Sequence, residues 1–181
     1  DCADAVYTAR MIFSYENKLP FAIKDPTGGG GQISNKMSRW DGQDEFNKFK
    51  KFVDYVNLVT STETLPNDSY PVKVDRDNIR AGTIWSRVRQ SSQNIWRRIT
   101  GGRAEGQAGH AEIVKSVTDT GSIMFIGSTV PPKVRPLILT SSLVFLPADG
   151  STGFRRWIQP QNVGKSTSSM VGFSMEQYSL G

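Results

Sequence analysis

The sequence predicts an α+β fold in which two helices cover one face of a curled antiparallel sheet, and three observations predict it. Apolar residues near the start recur at helical spacing, those beyond about residue 80 alternate with the period of strands, and short turn-forming clusters separate these later segments. A length of 181 residues suits one domain with a sizeable core. We expect that domain to span 1–160, with 161–181 as its extension or a tail.

Residues 2–17 read as the first helix, because Cys2, Val6, Ala9 and Phe13 fall at i, i+4, i+7 and i+11. Asp1 stands at its N-cap or just before it. Leu19-Pro20 ends it, since the residue ahead of a proline avoids helical dihedrals. The run Asp25-Pro26-Thr27-Gly28-Gly29-Gly30-Gly31-Gln32 reads as a mobile loop or lid, and it lacks the Gly-Lys-Ser/Thr ending that would cradle a phosphate. A second helix over 43–59 carries Phe46, Phe49, Val53 and Val56 as core, with Lys48, Lys50 and Lys51 solvated.

A polar turn runs from Pro66 to Pro71, after which strands are predicted over 83–88, 111–117, 122–126, 137–146 and 154–158. Thr118-Asp119-Thr120-Gly121 joins the second to the third as a hairpin. Between the first two lies a basic stretch with Arg89, Arg97, Arg98 and Arg103, where Ile95, Trp96 and Ile99 allow a short helix. Phe154-Arg155-Arg156-Trp157 reads as a strand that closes the sheet rather than one that lines a cleft. The residues after 161 show no pattern.

Charge narrows the partners. With 22 basic and 17 acidic residues the net charge is +5, which suits an anionic surface such as nucleic acid, acidic lipid or cell wall. No apolar run approaches the roughly eighteen residues of a transmembrane helix. The first residues carry no basic and apolar blocks of an export signal, so targeting stays open. One cysteine excludes an internal disulfide and a cysteine-built zinc site, and one histidine disfavours an imidazole-built metal site.

Scarcity also points to chemistry, because any reaction needing a thiol and an imidazole must use Cys2 and His110. Cys2 lies in the first turn of the first helix, where unpaired N–H groups and aligned peptide dipoles favour the thiolate and can also donate to an oxyanion. His110 follows Gly109 and opens a strand, a place from which an imidazole can face a cleft while the strand stays packed. Nucleophile and base would each sit at the end of a rigid element.

These residues resemble a family. Asp1-Cys2-Ala3-Asp4-Ala5-Val6-Tyr7 with Lys18-Leu19-Pro20-Phe21 is similar to the nucleophile helix of papain-like cell-wall peptidases and CHAP amidases. Ile79-Arg80-Ala81-Gly82-Thr83-Ile84-Trp85 looks like their turn into the first strand, with Thr83 in place of the usual acid. Gly109-His110-Ala111-Glu112-Ile113-Val114 is similar to their histidine strand, and Thr120-Gly121-Ser122-Ile123 to the return strand. The resemblance implies a papain-like fold and hydrolysis of an amide in peptidoglycan peptides through a Cys-His acyl-enzyme, with no cofactor. It further implies a secreted protein, or an antibacterial effector delivered into a target's periplasm, which an immunity protein would counter, and a chain that is part of a longer polypeptide. The family orients its imidazole with a polar residue on the strand after the histidine. Ser128 is the nearest candidate here, with Asp119 and Glu112 behind it; Glu112 shares a strand face with His110 at i+2, where side chains point in parallel.

Two other readings compete. Arg87, Arg89, Arg97, Arg98 and Arg103 beside Trp85 and Trp96 suit a nucleic-acid binder or ribonuclease-type toxin, a weaker signal than the Cys-His pair. A papain-like scaffold without chemistry is the other.

Overall fold

The structure, a computed structural model, describes residues 2–87, 109–128, 136–142 and 152–163. Asp1, the basic stretch holding Arg89, Arg97, Arg98 and Arg103, the short helix expected around Trp96 and the tail beyond Val163 lie outside the described residues.

Helix α1 spans Cys2–Glu16 and strand β1 Ala22–Lys24. The glycine run then links β1 to β2, Gln32–Ser34, as an antiparallel hairpin with Ala22 opposite Ser34. The sequence reading missed this strand pair, because strands of three residues carry too few alternations to show a period. Helix α2 spans Glu45–Val59. Asp44 caps it by accepting from the Asn47 N–H at 3.0 Å, and the Thr60 hydroxyl closes its other end on the Val56 carbonyl at 2.8 Å. The strands β3 (Ser69–Pro71), β4 (Ile84–Arg87), β5 (His110–Val117), β6 (Ile123–Gly127), β7 (Ile138–Ser142) and β8 (Thr152–Trp157) follow.

The fold is α+β with a six-stranded antiparallel sheet in the order β3-β8-β4-β5-β6-β7. Adjacent residues on a strand face opposite ways, so the sheet feeds two cores. Ile84, Ala111, Ile113 and Trp157 pack on Ala3, Val6, Tyr7 and Met11 of α1 and on Phe52 and Val56 of α2. On the other face, Val114, Phe125 and Phe154 pack under Val72 and Ile79. The strand Phe154-Arg155-Arg156-Trp157 lies inside the sheet between β3 and β4, and its arginines are structural. Arg155, buried, donates to the Ser69 hydroxyl at 2.8 Å and carbonyl at 2.7 Å, and Arg156 to the Asn78 carbonyl at 2.7 Å.

Both helices sit in a different rotation from the one the apolar residues alone suggest. The buried face of α1 runs through Ala3, Tyr7, Arg10 and Ser14, leaving Ala9 and Phe13 at its flanks. Arg10 can lie inside because its guanidinium is sandwiched 4.4 Å from the Trp157 ring centroid and 5.0 Å from that of Phe21, with Nη2 donating to the Ile158 carbonyl at 3.1 Å. Tyr7 donates to Asp68 Oδ2 at 2.6 Å, and the Lys24 N–H to Oδ1 at 2.7 Å. On α2 the centre is Phe52 and Val56, and Phe46, expected in the core, is 64% exposed. Six residues before Phe52, it is turned by about 120° to the solvent side.

Candidate active site

α1 begins beside the start of β5, and this brings Cys2 to the opening residues of that strand. The thiol faces the Gly109 carbonyl at 3.7 Å. Burial is the largest influence on the sulfur and pushes its pKa up, but a hydrogen bond with the His110 side chain and the N–H groups of Ala111 and Ala3 outweigh it. The thiol ends below its ordinary value, as a helix end and a neighbouring imidazolium dictate. Cys2 is only 4% exposed, and His110, with 22% of its side chain exposed, is the solvent-facing half of the pair.

His110 is pushed the other way, to about 9, by its hydrogen bonds to Cys2 first and Glu112 second, against burial. Its Nε2 lies 3.5 Å from Glu112 Oε1, while Nδ1 is buried without a hydrogen-bond partner. The carboxylate on Nε2 fixes which way the ring faces. Trp85, opposite Glu112 on β4, sets its ring edge-on to the imidazole at 6.0 Å between centroids and walls one side.

The structure brings Cys2, His110 and Glu112 together. Ser128 directly follows Gly127, which stands opposite Glu112, and it is Glu112 that approaches the imidazole. Glu112 reaches the imidazole although both side chains leave the same face of one strand, because its longer arm can bend back along the strand. The residue opposite it is Gly127, where a Cβ would stand 2.8 Å from Glu112 Cγ and 3.0 Å from Oε1. From β7 the Thr140 hydroxyl lies 3.4 Å from the same oxygen. Gly127 and Thr140 were invisible as site residues in the sequence, and Trp85 stood out only beside arginines, since only the pairing register puts the three here. Thr83, which stands where the resembled family has an acid, accepts from the Arg80 N–H at 3.0 Å and closes the turn into β4.

Among the described residues no cluster of three or more histidine, cysteine or acidic side chains could hold a metal ion, and no helix is long and apolar enough to cross a membrane. No family model, curated protein or solved structure matches this chain.

Proposed function

We propose that this protein is a papain-like cysteine hydrolase that cleaves an amide bond in the peptide part of peptidoglycan, with Cys2 as nucleophile, His110 as proton carrier and Glu112 as the residue that orients the imidazole. The observation that carries the reading is the meeting of the only cysteine and the only histidine of the chain, with the thiol lowered and the imidazole raised by each other. That mutual shift favours a thiolate-imidazolium pair at neutral pH.

The thiolate attacks the scissile carbonyl carbon, and the oxyanion is met by first-turn N–H groups of α1. Imidazolium gives its proton to the leaving nitrogen as the C–N bond breaks, leaving a thioester on Cys2 and a neutral imidazole. The imidazole then takes a proton from water, the hydroxide displaces the sulfur, and the carboxyl product leaves with the pair restored. The wall as substrate rests on the sequence resemblance and on the net charge of +5, which suits an anionic polymer. A secreted or periplasm-delivered role, and an immunity protein that blocks the cleft, follow from the same resemblance.

Purified peptidoglycan incubated with the wild-type protein should release fragments whose masses show one new amine and one new carboxyl group. Cys2→Ala, folded by circular dichroism, should release none. Intact sacculi after prolonged incubation with folded wild-type protein would reject the reading. The 4% exposure of Cys2 favours one other reading, a binding module on this scaffold without chemistry. That reading requires iodoacetamide to alkylate Cys2 slowly at neutral pH, whereas the hydrolase requires rapid alkylation.

A further inference from the structure

The opposite end of α1 holds a second candidate site. Between the last turns of that helix, the β1–β2 hairpin and the start of α2 lies a cavity of about 330 Å³. Ser14 on its wall is twelve residues from Cys2 along the helix, about 18 Å away. We propose that this cavity binds a small flat aromatic carboxylate, independently of the Cys2 chemistry.

Its wall is aromatic and interlocked. Tyr15 stacks on Phe49 at 4.2 Å, Phe52 meets Phe21 edge-on at 5.6 Å and Trp40 meets Phe52 edge-on at 6.1 Å. Arg39 holds Trp40 and Tyr55 from outside, its guanidinium 5.4 and 4.7 Å from their ring centroids. Closing the cavity would break these ring contacts, so the space is pre-formed. At about 30 Å³ per water it takes the equivalent of roughly eleven waters, the size of a one- or two-ring molecule.

Two observations say that the site wants a polar ligand group. Ser14 is 2% exposed and its hydroxyl has no hydrogen-bond partner, a cost that an acceptor on a ligand would remove. Lys18 is the only non-glycine residue with positive φ, at 57°, among the described residues. It ends α1 in a left-handed cap, where Leu19 N–H bonds the Ser14 carbonyl at 2.8 Å and Lys18 N–H the Tyr15 carbonyl at 3.3 Å. Glycine adopts that conformation without penalty, so a lysine there costs stability. What the cost obtains is an ammonium at the lip, over the Tyr15 ring at 5.6 Å and bonded to Glu45 at 2.6 Å.

The sign of the ligand follows from the lining. Lys18 and Lys48 both line the cavity with one lining carboxylate, Glu45, and since Asp41 outside the lining holds Lys48, Lys18 is the ammonium that a ligand anion can take over from Glu45. A carboxylate can take the place that Glu45 now occupies on Lys18, and Glu45, in the first turn of α2, remains favoured there by the helix dipole.

The test is titration of the full chain with 1-naphthoate by calorimetry, with neutral 1-naphthalenemethanol as the control probe. Saturable one-to-one binding is expected, at least about tenfold tighter than the alcohol because a charge-assisted bond is lost with it. Trp40→Ala should abolish binding. Lys18→Gly should weaken 1-naphthoate about tenfold while raising Tm, since it relieves the strained cap. A residue that served only the fold would not gain stability on removal. Absence of saturation at millimolar 1-naphthoate, or equal affinity in Lys18→Gly and wild type, overturns the assignment. Iodoacetamide alkylation of Cys2, followed in the same samples, reports separately on the hydrolase reading.

Discussion

The two ends of α1 are built from opposite materials. At its start, Cys2 and His110 set each other's charge with the help of the Glu112 carboxylate and two backbone N–H groups, and the geometry matters to within a hydrogen bond. At its end, five rings hold a volume open and the only strong charges sit at the lip. The difference teaches what each site is sensitive to: the first to protons and single atoms, the second to shape. Both depend on a helix that cannot slide, and its middle supplies that anchor through Tyr7 on Asp68 and Arg10 between Trp157 and Phe21.

The largest contrast should come from His110→Ala. Without the imidazole, the thiol loses the hydrogen bond and charge that offset its burial, and it becomes a protonated, covered sulfur. Alkylation of Cys2 by iodoacetamide at pH 7 should then fall about 100-fold, and with one cysteine in the chain the rate belongs to that atom alone. Affinity for 1-naphthoate should stay unchanged. A drop in alkylation below about threefold would mean that the sulfur does not depend on the imidazole, and the contrast between the two ends would collapse.

A smaller effect follows from Glu112 and from pH. The imidazolium, raised to about 9, is present below that value and lost as pH rises through it, while the thiolate is lost as pH falls through the lowered thiol value. Hydrolysis should therefore be bell-shaped with its alkaline limb near 9, and the stabilisation that His110 gives the fold, complete below about 6.5, should be gone once pH has risen through 9. Glu112→Gln removes a carboxylate that raises His110, so the limb should move down and turnover at pH 8 should fall about tenfold. The single histidine lets NMR read the same shift directly. Gly127→Ala should act in the same direction but less, because the added Cβ displaces Glu112 rather than removing it. An unmoved His110 titration in Glu112→Gln would sink the orienting role. Binding at the far cavity should stay flat from pH 6 to 8, since Lys18 is raised by Glu45 and remains an ammonium there.

How much of this was legible before the structure depends on range. The alternation in Ile84 to Arg87, Ala111 to Val117 and Ile123 to Gly127 is local, and those strands stand where the sequence puts them. The approach of Cys2 to His110 was legible only as a coincidence of scarce residues at element ends, because no local pattern encodes a contact across the chain. Arg10 and Ser14 were hidden in the buried face of α1, since an apolar stripe cannot include a charged residue whose partners are two distant rings. Glu112 was discounted by the rule that side chains at i and i+2 run parallel. What overrides the rule is the missing side chain at Gly127, a fact of register that one strand's sequence does not contain.

The smallest effect tests the anchor between the two ends. Asp68 is held at about 6 because burial, the largest influence, outweighs the Tyr7 hydroxyl, the Lys24 N–H and the Arg10 charge, all of which pull it down. Its folded value lies above the ordinary 3.8, so the fold prefers the protonated form. That contribution is complete below about pH 4 and is lost as pH climbs through 6. Asp68→Asn carries no such proton and can still accept one of the two hydrogen bonds. The stability difference between wild type and Asp68→Asn should therefore move in the variant's favour by about 1 kcal/mol between pH 5 and 7, read from urea midpoints. A difference that ignores pH would place the ionisation of Asp68 outside the folding equilibrium. The grip on the middle of α1 would then come from ring packing around Arg10, and the charged start of the helix would share its anchor with the shape-governed end.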